Sequence, residues 1–232
     1  MNIAIALVFL VIVMMVLKYI FHVNVEKIKA LGKNEYLNKL TDKFPDNLEI
    51  CKKIVRLIGN QTVKIEEDKD SKTSMYLVLT NRISIANLKD NYTRIQTIAH
   101  ECIHSMQDRK MLLANFIISN LALIYWFIAI VLTICGVYKD ILLQGFILMT
   151  ISGVQFALRS YLETDAMIKA RYLAKTYMIT EKVLKPEEIE EVVGQYDVLN
   201  KVGVKYMNFD LLWNNLLRIV LYLILGFVMA NI

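Results

Sequence analysis

Long apolar blocks separated by polar segments dominate the chain. Four blocks contain few or no charged residues: Ile3–Phe21, Met111–Val137, Ile141–Leu158 and Leu211–Ile232. At a rise of about 1.5 Å per residue, each block is long enough as a helix to cross about 30 Å of hydrocarbon, the third only barely. The pattern predicts four transmembrane helices, and the short linker Tyr138–Asp140 predicts a tight hairpin between the second and third.

The polar segments predict a small α+β domain. Residues 25–59 have the spacing of two amphipathic helices with a break at Pro45, and residues 91–110 return to helical spacing and lead directly into the second block. Three β-branched runs lie between them and alternate apolar with polar positions: Val63–Glu66, Met75–Leu79 and Arg82–Ala86. We expect these runs to form a short antiparallel sheet. Residues 159–182 predict a further helix, and Pro186 begins the next.

These elements divide the chain into five segments. We expect a transmembrane anchor at 3–21, a polar α+β domain at 23–110, a two-span hairpin at 111–158, a polar helical segment at 159–210 and a last transmembrane helix at 211–232. Residues 23–110 carry sixteen Lys and Arg, residues 159–210 carry eight, and the hairpin linker carries only Lys139. The excess of positive charge in cytoplasmic loops places both polar segments in the cytoplasm and both chain ends on the other side.

The composition agrees with a membrane protein and argues against a nucleic acid partner. The chain is 56% hydrophobic with a net charge of +5, and ordinary soluble domains are only about 45–50% apolar. No cluster of Lys and Arg is interleaved with aromatic residues, so we expect no nucleic acid partner. The three cysteines, Cys51, Cys102 and Cys135, form no paired spacing, which argues against a disulfide framework.

The motif His100-Glu101-Cys102-Ile103-His104 carries the candidate chemistry. Residues four apart share one face of a helix, so both imidazoles can bind one zinc ion at about 2.0–2.1 Å. Glu101 lies beside that face, where it can act as general base on a metal-bound water. Cys102 points away from the metal and is not expected to be a ligand.

A catalytic zinc needs a third protein ligand, and Glu163 is the candidate for it. His104 lies about seven residues before the second apolar block, and Glu163 lies about five residues after the third. The hairpin therefore brings both to one side of the membrane, at about 7–10 Å from it at helical rise. Asp165 is the alternative ligand. Because it points about 200° away from Glu163 around an ideal helix, we expect it to orient a ligand histidine instead or to pair with Lys169.

The predicted sheet offers a place for substrate. An extended peptide can add a strand to an exposed sheet edge. By its position before the metal-binding helix, Arg82–Ala86 is the candidate edge strand, with an ordinary structural strand as the equal alternative.

The segments IAHECIHSMQ, LETDAMIKARYL and KPEEIEEVVGQYDVLNKVGVKYM, together with the order of the apolar blocks, resemble the YugP-type neutral zinc metallopeptidases of bacterial membranes. The resemblance covers nearly the whole chain. It implies a gluzincin-like zinc peptidase with a zincin-like cytoplasmic domain, His100, His104 and Glu163 as ligands, and Glu101 as base. Ile103 departs from the family, in which this position is typically Gly.

The sequence thus predicts a mainly α membrane protein that hydrolyses peptide bonds at the cytoplasmic face of the bacterial cell membrane. Its expected cofactor is Zn²⁺, and its expected partners are the lipid bilayer and a peptide or membrane-protein substrate. Two alternatives stay open: a zinc-binding regulator or assembly factor without catalysis, and a membrane scaffold whose motif binds no metal.

Overall fold

The computed structural model describes residues 3–23, 34–68, 70–71, 73–86 and 91–230. Within these ranges the chain is mainly helical and contains one small sheet. In chain order the elements are α1 (Ile3–Ile20), α2 (Glu35–Thr41), α3 (Asn47–Leu57), β1 (Lys64–Asp68), β2 (Met75–Leu77), β3 (Arg82–Ala86), α4 (Arg94–His104), α5 (Arg109–Ile134), α6 (Ile141–Glu181) and α7 (Pro186–Met229).

The chain divides into two compact units. The first, called the helical unit here, consists of Met1–Val23, Ala114–Tyr161 and Lys205–Ile232. The second, called the mixed unit, consists of Asn24–Leu113 and Leu162–Val204. Helices α5, α6 and α7 each contribute residues to both units.

Three helices contain stretches that are long and apolar enough to cross a membrane, and these are α5, α6 and α7. They coincide with the last three predicted blocks. The first block forms α1, of which Leu10–Ile20 is a shorter apolar helix by the same measure. Four transmembrane helices therefore stay a prediction, and the described residues contain three long apolar helices.

The helices of the helical unit pack through small residues and a few buried polar bonds. A side chain at Gly226 would collide with Ile141, and one at Gly145 would collide with Leu223, so glycine permits close helix approach at both points. The Thr133 and Tyr222 hydroxyls are 3.2 Å apart and buried. These contacts are typical of helices packed in hydrocarbon, where hydrophobic burial does not drive association.

An apolar core organises the mixed unit. Asp46 ends the break after Pro45 and caps α3 by accepting a bond from the backbone N–H of Glu49 at 2.8 Å. The helix then buries Ile50 and Ile54 completely. The two predicted helices around Pro45 are confirmed from Glu35 onwards, and residues 25–33 lie outside the described ranges.

The sheet is mixed, so the prediction of an antiparallel sheet was wrong. Its strand order is β1-β3-β2, with β2 antiparallel and β1 parallel to β3. β2 and β3 form a hairpin whose turn ends at Asn81, with φ of 48°, a left-handed conformation that asparagine tolerates better than most residues. β1 instead pairs with the far side of β3, which local alternation cannot reveal.

The metal-motif helix does not run directly into the second apolar block, as the sequence had predicted. α4 ends at His104, and a turn over residues 105–108 precedes α5. The hydroxyl of Ser105 donates to the Cys102 carbonyl at 2.7 Å, at the end of α4. Asp108 then caps α5 by accepting bonds from the backbone N–H groups of Lys110 and Met111. Local side-chain bonds of this kind compete with a continuous helix.

The last two helices are longer than the predicted segments. The predicted helix over residues 159–182 is the C-terminal half of α6, continuous with the third apolar block. Pro186 is the first residue of α7, and Glu187 and Glu188 occupy its first turn, where negative charge favours the helix N-terminus.

Candidate metal centre

Helix α4 is fixed in the mixed unit by its first residue and its core face. Ile95, Ile98 and Cys102 are buried, and the Cys102 sulfur lies 3.9 Å from that of Cys51. Arg94 is buried as well, and its guanidinium donates to carbonyl and amide oxygens around the α2–α3 connection: those of Thr41, Phe44, Pro45 and Asn47. These contacts fix the rotation of α4 about its axis. His100 and His104 lie on the opposite face of the helix.

The structure brings His100, His104 and Glu163 together. The Nε2 atoms of the two imidazoles are 3.0 Å apart. Oε2 of Glu163 lies 3.3 Å from Nε2 of His100 and 3.6 Å from Nε2 of His104. Among the described residues, these three side chains form the one group of at least three His, Cys, Asp or Glu donors close enough to share a metal ion.

This triangle of donors fits a tetrahedral zinc. With bonds of about 2.0–2.1 Å, tetrahedral geometry separates any two ligand atoms by about 3.3–3.4 Å. The observed separations of 3.0, 3.3 and 3.6 Å scatter around that value. Two nitrogens and one carboxylate oxygen are also the donor types of catalytic zinc sites that leave a fourth position open.

Asp165 lies outside this triangle. One of its oxygens is 2.7 Å from the ammonium of Lys169, and the other accepts a bond of 2.9 Å from the side-chain amide of Gln107. Both contacts are compatible with the roles expected from sequence, namely pairing with Lys169 and indirect support of a ligand histidine. Of the two acidic candidates on α6, Glu163 is therefore the one against the imidazoles.

The electrostatics of the cluster favour an ionised Glu163. Burial raises the pKa of this carboxyl, but hydrogen bonds from His100 and His104 and their charge outweigh burial, so that its pKa lies well below the ordinary value. For His104, burial lowers the pKa, and the bond to Glu163 with the nearby carboxylate charges raises it to a net value above the ordinary one. The same attraction would hold a cation.

Glu101 is almost fully buried beside the two imidazoles. Burial raises the pKa of its carboxyl, and the charges of His100 and His104 together with a hydrogen bond from the backbone of Tyr76 lower it, with a net upward shift. Tyr76 belongs to β2, so the general-base candidate lies between the metal-motif helix and that strand.

The edge strand nearest the site is β2 and not Arg82–Ala86, which the sequence had suggested. The strand order makes β3 the central strand, paired on both sides, so it has no free edge for a peptide. Among the residues that the structure describes, β2 pairs with β3 alone, and its Met75 and Leu77 side chains are exposed.

Gln107 was missed by sequence reasoning. Its side-chain oxygen lies 2.8 Å from Nδ1 of His104, and its amide nitrogen donates to the Leu162 carbonyl and to Asp165. The only signal in the sequence was its position three residues after a ligand candidate, which places it on the same face of a helix as His104.

The chain matches no family model, no curated protein and no solved structure. What the site can do must therefore be derived from its own groups. Three donors suit a divalent cation, and a buried carboxylate adjoins them.

Proposed function

We propose that the protein is a membrane-bound zinc metallopeptidase, with His100, His104 and Glu163 as metal ligands and Glu101 as general base. One observation carries the proposal: three donors from two distant segments form a triangle of the size that tetrahedral zinc requires. Glu101, buried beside that triangle, supplies the group that distinguishes a hydrolytic site from a purely structural one.

The proposed reaction divides its tasks between the metal and the carboxylate. When bound, zinc lowers the pKa of a coordinated water toward about 7 and polarises a carbonyl group. Glu101 accepts the proton of the attacking water and then delivers it to the nitrogen of the leaving amine. Its burial excludes bulk water from the carboxylate, and contact with the Tyr76 backbone orients it.

The open edge of β2 is where we propose that the substrate peptide lies. Main-chain hydrogen bonds to a free edge hold an extended peptide without regard to its sequence. The exposed Met75 and Leu77 would contact its apolar side chains. An apolar, extended segment of a membrane protein suits such a surface, as does a peptide of similar character.

The proposed location is the bacterial cell membrane, with the site on its cytoplasmic side and α1 as a fourth span. Three apolar helices support membrane insertion. The distribution of Lys and Arg along the chain supports the orientation, and the resemblance to bacterial membrane metallopeptidases supports the choice of membrane.

Metal content and cleavage test the proposal together. Purified full-length protein in detergent should bind one zinc per chain and cleave a mixture of peptides and membrane-protein fragments, read out by mass spectrometry of new N-termini. Glu101→Gln should keep the zinc and lose the cleavage, because the amide cannot accept the proton. Glu163→Ala should lose most of the zinc at equimolar metal, because two imidazoles alone hold it weakly.

Glu187→Gln, an exposed change in the first turn of α7, is the matched control and should change neither zinc nor cleavage. Equal cleavage by wild type and Glu101→Gln would exclude the assigned base. Bound zinc with no cleavage by wild type would favour the non-catalytic regulator or assembly factor, and no bound zinc would favour the scaffold.

A further inference from the structure

The turn after α4 places one side chain between a candidate ligand and the helix that carries another. Gln107 contacts Nδ1 of His104 at 2.8 Å, the Leu162 carbonyl at 2.8 Å and Asp165 at 2.9 Å. Asp165 is in turn 2.7 Å from the ammonium of Lys169. A chain of polar contacts thus runs from α6 through Gln107 to the imidazole of His104.

The partners on α6 determine which way the Gln107 amide faces. A backbone carbonyl and an ionised carboxylate accept hydrogen bonds and cannot donate them. The NH₂ group of Gln107 must therefore face Leu162 and Asp165, and its oxygen must face His104. A carbonyl oxygen at 2.8 Å from Nδ1 requires that this ring nitrogen carry a proton.

We propose that Gln107 is a positioning residue that fixes His104 in the tautomer with the proton on Nδ1. The inference rests on the proposed function, because it concerns the ligand geometry of the same site. His104 can donate to Glu163 through Nε2 only while its ring is charged. In the neutral ring with Nδ1 protonated, the lone pair is on Nε2, the atom that lies 3.0 Å from Nε2 of His100 and 3.6 Å from Glu163. Gln107 thus directs the lone pair of His104 toward the other two proposed ligands.

The two histidines differ in this respect. In the part of the chain that the structure describes, Nδ1 of His100 has no side-chain partner comparable to Gln107. The positioning role is therefore assigned to Gln107 for His104 alone.

The tautomer can be measured without any catalytic turnover. Nitrogen-15 spectra of histidine-labelled full-length protein in detergent, stripped of zinc by chelation, distinguish protonated from unprotonated ring nitrogens. The spectra are recorded at alkaline pH, and single His→Gln variants assign the signals. Wild type should show a protonated Nδ1 for His104. A protonated Nε2 on His104 in wild type would overturn the proposal.

Gln107→Leu removes the acceptor at nearly constant size. We expect the His104 proton to move to Nε2 and the zinc dissociation constant to rise about 10–100-fold, the range typical of lost outer-shell partners. Gln107→Glu keeps an oxygen toward His104 and should retain the Nδ1–H tautomer although it repels Asp165. Gln61→Leu, the same change at an exposed position of the mixed unit, should alter neither signal. An unchanged His104 spectrum in Gln107→Leu would refute the positioning role.

The outcomes separate this inference from the proposed function. If zinc binds and the His104 tautomer is as expected but no substrate is cleaved, the peptidase proposal fails and the role of Gln107 stands. If cleavage occurs with His104 in the other tautomer, the role of Gln107 fails and the peptidase proposal stands.

Discussion

The helical unit and the mixed unit use apolar side chains in opposite ways. The mixed unit has an apolar core in which Ile50, Ile54 and Ile95 are 0% exposed. The helical unit leaves Ile128 45% exposed and Phe146 61% exposed, while it buries polar Thr133 and Asn215. The contrast is expected if water surrounds the mixed unit and hydrocarbon surrounds the helical unit, because no hydrophobic driving force buries apolar side chains in lipid.

A matched pair of isoleucine truncations should show the largest difference between the units. Ile54→Ala opens a cavity in the mixed unit and should lower its free energy of unfolding by about 2–5 kcal/mol. Ile128→Ala removes a side chain that faces outward and should change the helical unit by less than about 0.5 kcal/mol. Hydrogen exchange in detergent, measured by mass spectrometry on peptides from each unit, reports both. Similar losses of protection in the two variants would contradict an inverted burial pattern.

Glycine substitutions should reveal the close packing inside the helical unit. A Cβ at Gly226 would lie 2.5 Å from the Ile141 side chain, whereas one at Gly153 would meet nothing within 4 Å. Gly226→Leu should therefore lower stability by about 1–3 kcal/mol, the usual cost of overpacking. Gly153→Leu, on the same kind of helix, should be tolerated. Thermal unfolding in detergent compares the two, and equal melting temperatures would argue against a packed contact at Gly226.

The smallest effect should come from removing one buried tyrosine hydroxyl in each unit. The Tyr196 hydroxyl donates to the Tyr92 carbonyl at 2.8 Å in the mixed unit, and Tyr196→Phe should cost about 1 kcal/mol. The Tyr222 hydroxyl pairs with Thr133 in the helical unit, and Tyr222→Phe should cost about 0.6 kcal/mol, as interhelical bonds in membranes average. Replicate unfolding curves would test whether Tyr196→Phe loses more stability than Tyr222→Phe. A larger loss of stability from Tyr222→Phe would contradict this part of the comparison.

The sequence predicted those parts of the fold that depend on local signals. Uninterrupted apolar runs predicted α5 and the first part of α6, Pro186 predicted the start of α7, and alternation predicted β3 with its observed bounds. Strand order was not predictable in the same way. Lys64 of β1 pairs directly with Arg82 of β3, although β2 lies between the two strands in sequence. Which edge of a hairpin receives a further strand depends on the helices packed around it.

The candidate site likewise contains residues that local spacing predicts and residues whose position depends on packing. His100, Glu101 and His104 follow from spacing on one helix, because side chains four residues apart share a face whatever surrounds them. The position of Glu163 against the imidazoles depends on how α6 is rotated in its packing, and two residues further along, Asp165 faces elsewhere. Gln107 was out of reach because its partners on α6 lie 55 and 58 positions away.

The contact between Gln107 and Asp165 has a consequence for how related sequences can be found. It joins two short motifs into one composite signature, H-E-x-x-H-x-x-Q followed downstream by E-x-D, with six defined positions in place of three. Each added position lowers the frequency of chance matches in unrelated chains. Within a set of relatives, Gln107 and Asp165 should vary together, since a change in one leaves the hydrogen-bonding group of the other without its partner.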